Sequence, residues 1–343
     1  MSINFRSYPN ITKITIGNNA VLYGNNIYNA FYDMANLTTC TFPINNITDM
    51  AGAFSGCRKL TGNPVSGPNT INMYRTYENC TSLTGSPVCG NNVTSMAFTY
   101  EKCTNLTGNP VCGPNVKNMG STYSGCISLT GSPVCGPNVT NMYKTYENCF
   151  KLTGSPVCTD KVDTLYNTYA NCQNLTGSAV CGNNVTNMSW AYDNCIKLTG
   201  AACGPNVTNM FMAYRNCYNL TTAVCGNNVT NMMNAYENCR NLTTAACGSN
   251  VTTLYFAYYG CPNIRGNFYV YSRKVEYAYG CFYSRSNASM LNIYVPSGST
   301  TLSTFLINNG DSFLGRSFAW TNDTANKRYY NTQQNIYLYY TLT

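Results

Sequence analysis

The sequence predicts an α/β repeat solenoid: a leucine-rich-repeat array of 22- and 23-residue coils, with a parallel β-sheet on one face, short helical turns on the other and a small C-terminal α+β module. Three observations predict it. Met50, Met73, Met96, Met119, Met142, Leu165 and Met188 follow one another at intervals of 23, and Met210, Met232 and Leu254 at intervals of 22. A fixed period of this size means stacked supersecondary units. Two cysteine series, one from Cys57 to Cys261 and one from Cys89 to Cys247, keep the same step. Within each coil, finally, a helix-like spacing of apolar residues gives way to a short β-compatible run.

The chain opens with a capping segment, residues 1–26, in which Ile11 to Ile16 reads as a strand. The array spans residues 27–285. Its first coil is degenerate, with Ile27, Met34 and Leu37 in core positions. A full coil runs Asn92-Val93-Thr94-Ser95-Met96, then Tyr100, Cys103, Leu106-Thr107-Gly108 and Val111-Cys112-Gly113. Steps of three, four and three put Val93, Met96, Tyr100 and Cys103 on one buried face of a short helix. Leu106 to Cys112, bounded by glycines, reads as one strand of a parallel sheet. Asn115 stands where it caps the next helical turn. One coil cannot bury its own apolar face, so neighbours stack. Residues 286–343 read as a separate module: Leu291 to Pro296 as a strand, Thr301 to Asn309 as a helix and Asn335 to Tyr340 as a last strand.

Composition limits the function. Charged residues make up 9% of the chain, far below the usual quarter or so, and no basic run of the kind that follows a phosphate backbone accompanies the net charge of +8. Nucleic acid is therefore not expected as a partner. No stretch has the length or apolarity to enter a membrane, and Met1 to Arg6 lacks the apolar core of an export signal.

The chemistry of an enzyme is sparse. There is no histidine. Asp160 and Asp163 read as a solvated loop pair, and Glu78, Glu101, Glu147, Asp193 and Glu237 as acids on an outward face without a cleft. No catalytic residue, metal site or cofactor is expected. Eighteen of the twenty cysteines fall in the two series, one thiol per coil in each, which favours free buried thiols over disulfides or metal clusters. Leucine replaces methionine at 165 and 254, so that position needs volume and not a sulfur ligand. The recurrent Asn-x-Thr triplets read as turn positions before they read as glycan acceptors.

The run Val207 to Thr221, Val-Thr-Asn-Met through Asn-Cys-x-x-Leu-Thr, resembles the BspA-like class of bacterial leucine-rich repeats, and Ile293 to Gly298 resembles the coil that closes such arrays. The resemblance implies an adhesin or surface-binding protein. Anchorless arrays with a Tyr-rich tail of this kind are carried by tailed bacteriophages, so the expected location is a virion or an extracellular surface.

Two surfaces are candidates for binding. Tyr74, Phe98, Tyr143, Tyr166, Trp190 and Phe211, just after the core methionine, change from coil to coil and suit recognition of one partner. Thr84, Thr107, Thr130, Thr153, Thr176 and Thr199 recur unchanged and suggest a hydroxyl-rich sheet face. The expected partner is a bacterial cell-surface protein or glycan, or virion proteins, with a homo-oligomer possible. The alternative is a structural subunit of a virion or filament.

Overall fold

The computed structural model describes residues 5–17, 20, 23–283, 290–295, 321–323, 328–331 and 336–339. The chain forms two compact units, Met1–Leu175 and Thr176–Thr343.

In the first unit β1 (Lys13–Thr15) pairs in parallel with β2 (Thr39–Thr41). From there the coils are joined by single parallel bridges, Asn26 with Asp49, Asp49 with Asn72, Asn72 with Ser95, and so on to Thr164. Each bridge residue immediately precedes a core residue such as Met96. Beyond it, alternate amides cross to the next coil: those of Met96, Phe98, Tyr100 and Lys102 donate to the carbonyls of Asn118, Gly120, Thr122 and Ser124 at 2.7–2.9 Å. The amides between them close tight turns within the coil, Thr99 to Met96, Glu101 to Phe98 and Cys103 to Tyr100. Phe98 and Lys102, each third in its turn, have φ of 58° and 59°. That left-handed third residue is what a type II turn requires.

This arrangement corrects the expected layout of the coil in three places. Among the described residues no α-helix forms, although Val93, Met96, Tyr100 and Cys103 are all fully buried. Successive tight turns return side chains to the core every three or four residues, as a helix does, so the spacing fits both. Nor is Leu106 to Cys112 a strand. Pro110 has no N–H to offer, and the Tyr123 hydroxyl takes both polar groups of Val111, accepting from its amide at 3.0 Å and donating to its carbonyl at 2.7 Å. The same clamp joins Tyr77 to Val65, Tyr100 to Val88 and Tyr146 to Val134. Asn115, finally, is not a cap: its side-chain nitrogen donates to the carbonyl of Asn91 in the preceding coil at 3.0 Å. The capping falls to Asn118, whose side-chain oxygen accepts from the Gly120 amide at 2.9 Å.

The core is a set of ladders. Tyr77, Tyr100, Tyr123, Tyr146 and Tyr169 stack with centroids 5.5–5.7 Å apart and planes within 9° of parallel. Phe5, Phe31 and Phe54 start the stack. All twenty cysteines are free thiols. The Cys103 thiol donates to the Tyr77 carbonyl of the preceding coil at 3.0 Å, and Cys57, Cys80, Cys126, Cys149 and Cys172 repeat the contact. A small side chain with a weak donor fits this gap better than a fuller one.

The second unit repeats the coil, with bridges from Asn187 through Asn209, Asn231 and Thr253 to Tyr277. Tyr192, Tyr214, Tyr236, Tyr258 and Phe282 form its stack, with centroids 5.3–5.5 Å apart. It ends in a five-stranded sheet of order β3-β4-β7-β6-β5, built from β3 (Gly266–Tyr269), β4 (Leu291–Tyr294), β5 (Thr321–Asp323), β6 (Arg328–Asn331) and β7 (Ile336–Tyr339). β3, β4 and β7 pair in parallel, continuing the sense of the coils, and β7, β6 and β5 are antiparallel. β4 and β7 lie within the two strands the sequence predicts. β5 and β6 were not anticipated, and the helix expected over Thr301 to Asn309 lies outside the described residues. Among the described residues no helix is long and apolar enough to cross a membrane.

Candidate functional site: an aromatic face with left-handed anchors

The residues one and two places after the core methionine sit on the outside of the tight turns. In the first unit Tyr74 and Phe98, on adjacent coils, meet edge to face with centroids 5.7 Å apart, and the Arg75 guanidinium lies over both rings, 5.3 and 4.7 Å from their centroids. Tyr143 stacks on Tyr166 at 5.1 Å, with the Lys144 ammonium 5.7 Å from the Tyr143 centroid. In the second unit Trp190 meets Phe211 edge to face at 4.6 Å. All six expected aromatics are thus paired, each with its neighbour along the array, and all remain partly or largely accessible. A paired ring keeps its shape without a partner, which reduces the ordering cost of binding.

The backbone beneath them is unusual. Two rows of the array are left-handed. In the row nearer the cysteines the residues are Asp33, Gly56, Asn79, Lys102, Gly125, Asn148, Asn171, Asn194, Asn216, Asn238 and Gly260, mostly the types that accept this conformation. The row two places after the methionine is different. It starts with Asn29 and Gly52 but then carries Arg75, Phe98, Lys144, Trp190, Met212 and Phe256, with φ of 51–58°. Holding a bulky residue there costs on the order of 1–2 kcal/mol.

The acids near this face are less exposed than expected. Asp193 is buried, and Arg215 grips it through two contacts of 2.9 and 2.6 Å. Arg75 reaches both oxygens of Glu78 at 3.2 and 3.3 Å, and Lys144 pairs with Glu147 at 3.5 Å. Glu78 and Glu147 thereby hold Arg75 and Lys144 in place over the rings. Burial raises the pKa of Glu101 from its ordinary range, opposed by the neighbouring Lys102. Among the described residues no group of three or more acids and cysteines has the geometry to hold a metal.

The threonine row is exposed at all six positions, but it does not lie on a sheet. Thr107, Thr130, Thr153 and Thr199 each donate the hydroxyl to the carbonyl of Gly85, Gly108, Gly131 and Gly177 respectively, at 3.1–3.3 Å. Their protons are committed to neighbouring coils, so the row offers acceptors and methyl groups. Burial pushes Cys89 up to about 11 and Cys112 up to about 12, which makes these thiols poor nucleophiles.

Sequence reasoning missed part of the aromatic face. Tyr28 and Tyr255 follow core residues Ile27 and Leu254, and Phe256 and Tyr279 pack beside Tyr255. The offset from the core residue identifies Tyr28, Tyr255 and Phe256; the looser register of the end coils obscured them.

Six copies of the BspA type leucine-rich repeat region match the chain, over residues 2–107, 143–265 and 210–313. The chain belongs to the BspA-type leucine-rich repeat family. Among solved structures, a leucine-rich repeat protein from Bacteroides ovatus ATCC 8483 superimposes with a TM-score of 0.50 at 14% identity, over 84% of this chain and 79% of that one. A leucine rich cell surface protein from Faecalibacterium prausnitzii A2-165 gives a TM-score of 0.39 at 15% identity, over 76% of this chain and 87% of that one. No curated protein matches the chain in sequence. At 14% identity the likeness to the Bacteroides ovatus protein is one of fold.

Proposed function

We propose that the chain is a non-enzymatic adhesion or receptor-binding protein, and that its aromatic face recognises a bacterial surface glycan or protein. The observation that carries the reading is the second left-handed row. A fold that tolerates Asn29, Gly52 and Asn167 in that conformation nevertheless holds Phe98, Trp190 and Phe256 there, at a cost its stability does not require. Side chains kept at such a cost, accessible and varied along the array, suit selective contact. Family membership supports the reading, since BspA-like arrays serve as adhesins and surface-binding proteins. Display on a virion or cell surface goes with it, the virion setting resting on the resemblance to arrays with a Tyr-rich tail.

The C-terminal sheet favours a second role in assembly. Tyr269, Tyr294 and Tyr339 stack across three of its strands with centroids 4.7 and 4.8 Å apart. Such a row suits packing against virion proteins or another copy of the chain.

The test is the replacement of Tyr166, Trp190 and Phe211 by serine. Attachment to bacterial cells should be lost while the circular dichroism spectrum is unchanged. Unaltered attachment by the folded variant would move the contact to the threonine row or the C-terminal sheet.

A further inference from the structure

The aromatic face of the first unit is interrupted at two coils, those of Met50 and Met119. Tyr28 and Tyr74 follow core residues Ile27 and Met73, but the coil between them carries Ala51 and Gly52. Two coil steps of about 4.8 Å put the flanking tyrosines about 10 Å apart along the array, room for one ring-shaped group. The space is a pocket of about 390 Å³, lined by Tyr28, Tyr32, Tyr74, Ser55 and two arginines, Arg6 and Arg75. Its floor is fixed by Gly52, whose φ is 62° and where a Cβ would collide with the Asn29 carboxamide. A side chain there would displace Asn29 and fill the pocket.

The polar groups favour a negatively charged guest. The lining holds two guanidiniums and no carboxylate. Arg75 is committed in part: Nε donates to the Tyr74 hydroxyl at 2.9 Å and Nη1 to Glu78, which Ser55 also holds through a hydroxyl bond of 3.0 Å. Nη2 makes no hydrogen bond. The Arg6 guanidinium is exposed and lies 5.1 Å from the Tyr32 centroid. A planar guanidinium matches a carboxylate through paired donors.

We propose that this pocket binds one carboxylate-bearing sugar residue of a surface glycan, its ring between Tyr28 and Tyr74 and its carboxylate toward Arg6 and Arg75 Nη2. The flat tyrosine rings offer apolar surface to the sugar's C–H face and hydroxyls to its rim. Asn29 supplies a donor and an acceptor for a ring hydroxyl. The proposal rests on the reading of the aromatic face as a binding surface and names its ligand class in the first unit.

Calorimetric titration of the full chain with glucuronate- and sialate-terminated oligosaccharides, and with the same compounds after reduction of the carboxyl to an alcohol, tests it. The acidic forms should bind at least tenfold more tightly than the reduced ones. Arg6→Gln and Tyr28→Ser, both at exposed positions, should each weaken that binding at least tenfold without altering the circular dichroism spectrum. Equal binding of acidic and reduced forms overturns the proposal, as does full affinity in Arg6→Gln. Displacement of the oligosaccharide by an equal concentration of inorganic phosphate also overturns it, in favour of a phosphate site. If the native chain binds no acidic sugar but loses cell attachment on serine substitution of Tyr166, Trp190 and Phe211, the pocket assignment fails and the adhesion reading stands.

Discussion

Residues 76, 99, 122, 145 and 168 of the first unit are threonines, after alanines at 30 and 53 in its first two coils, whereas their counterparts in the second, residues 191, 213, 235 and 257, are all alanines, and every one is fully buried. The threonines bond coil to coil: Thr76 and Thr168 donate to the carbonyls of Met50 and Met142 in the preceding coils at 3.1 and 2.7 Å. The alanines leave the equivalent carbonyls only a backbone donor, as Ala213 does for Met210 at 3.0 Å. The proline of the first unit (Pro87, Pro110, Pro133, Pro156) disappears as well. What survives both changes is the tyrosine clamp: Tyr214 bridges both polar groups of Ala202, and Tyr236 those of Val224, as Tyr123 does those of Val111. A clamp that closes on backbone is indifferent to the side chain it meets. The tyrosine and the ladders of methionine, cysteine and leucine therefore define the coil, and the threonine and proline tune it.

The largest effect should come from breaking what the units share. Met119→Asp places an unpaired carboxylate at a fully buried position, and an isolated buried charge is among the costliest substitutions. We expect loss of cooperative unfolding in the first unit, read by circular dichroism and limited proteolysis. A folded variant of near-native melting temperature would show that the methionine row is not core.

Alkaline pH probes both units at once. Burial raises the thiols above their ordinary value near 9, Cys89 to about 11 and Cys112 to about 12 in the first unit and Cys247 to about 12 in the second. The raised folded value means that the unfolded chain loses its protons first. The stabilisation is therefore complete below about pH 9 and drains away as pH rises through 9 to 12. The midpoint of urea unfolding should fall steadily over that window and stay flat from pH 7 to 8.5. A flat profile up to pH 11 would mean that the thiols are less buried than described, or oxidised.

Tyr123→Phe and Tyr214→Phe sharpen the comparison. Each removes one hydroxyl and strands an amide and a carbonyl, of Val111 in the first unit and of Ala202 in the second. We expect each to lose about 2–3 kcal/mol by denaturant unfolding. Equal losses would establish the clamp as independent of coil type. A much smaller loss at Tyr214 would show that the alanine coil admits water to those groups.

How much of this was legible in the sequence follows from the same residues. The period, the buried identity of Val93, Met96, Tyr100 and Cys103, and the free cysteine ladders follow from intervals alone, because a stack turns one position into one row. The conformation between the rows does not follow. Steps of three and four arise from consecutive tight turns as readily as from a helix, and only a left-handed φ at Phe98 and Lys102 separates them. Phe98 gives no hint of that φ, since the signal normally read is glycine or asparagine. The missing strand at Leu106 to Cys112 depends on a hydroxyl twelve residues away, beyond any local pattern. The aromatic face was legible as a row that varies. That the row carries a backbone cost, and that Gly52 opens a gap in it beside Arg6, appears only when neighbouring coils are laid against one another.

The smallest expected effect separates the two kinds of coil from each other. Thr122 donates its hydroxyl at 2.8 Å to the carbonyls of Met96 and Met119, so Thr122→Ala forfeits one shared buried hydrogen bond and one methyl group. About 1–2 kcal/mol should be lost by denaturant unfolding. Ala213→Thr makes the reverse change in a fully buried position of the second unit. If the second unit kept the same space beside its methionine carbonyls, the new hydroxyl would find Met210 and the variant would gain stability. The alanines of that row are closely enclosed, and inserting atoms into a packed core costs about 1–3 kcal/mol. We therefore expect Ala213→Thr to destabilise, so that both exchanges lose. Two losses would show that threonine and alanine belong to coils of different internal dimensions. A gain at Ala213→Thr would mean that the coils are interchangeable there, and that the one-residue difference in repeat length is absorbed wholly in the segment that lost its proline.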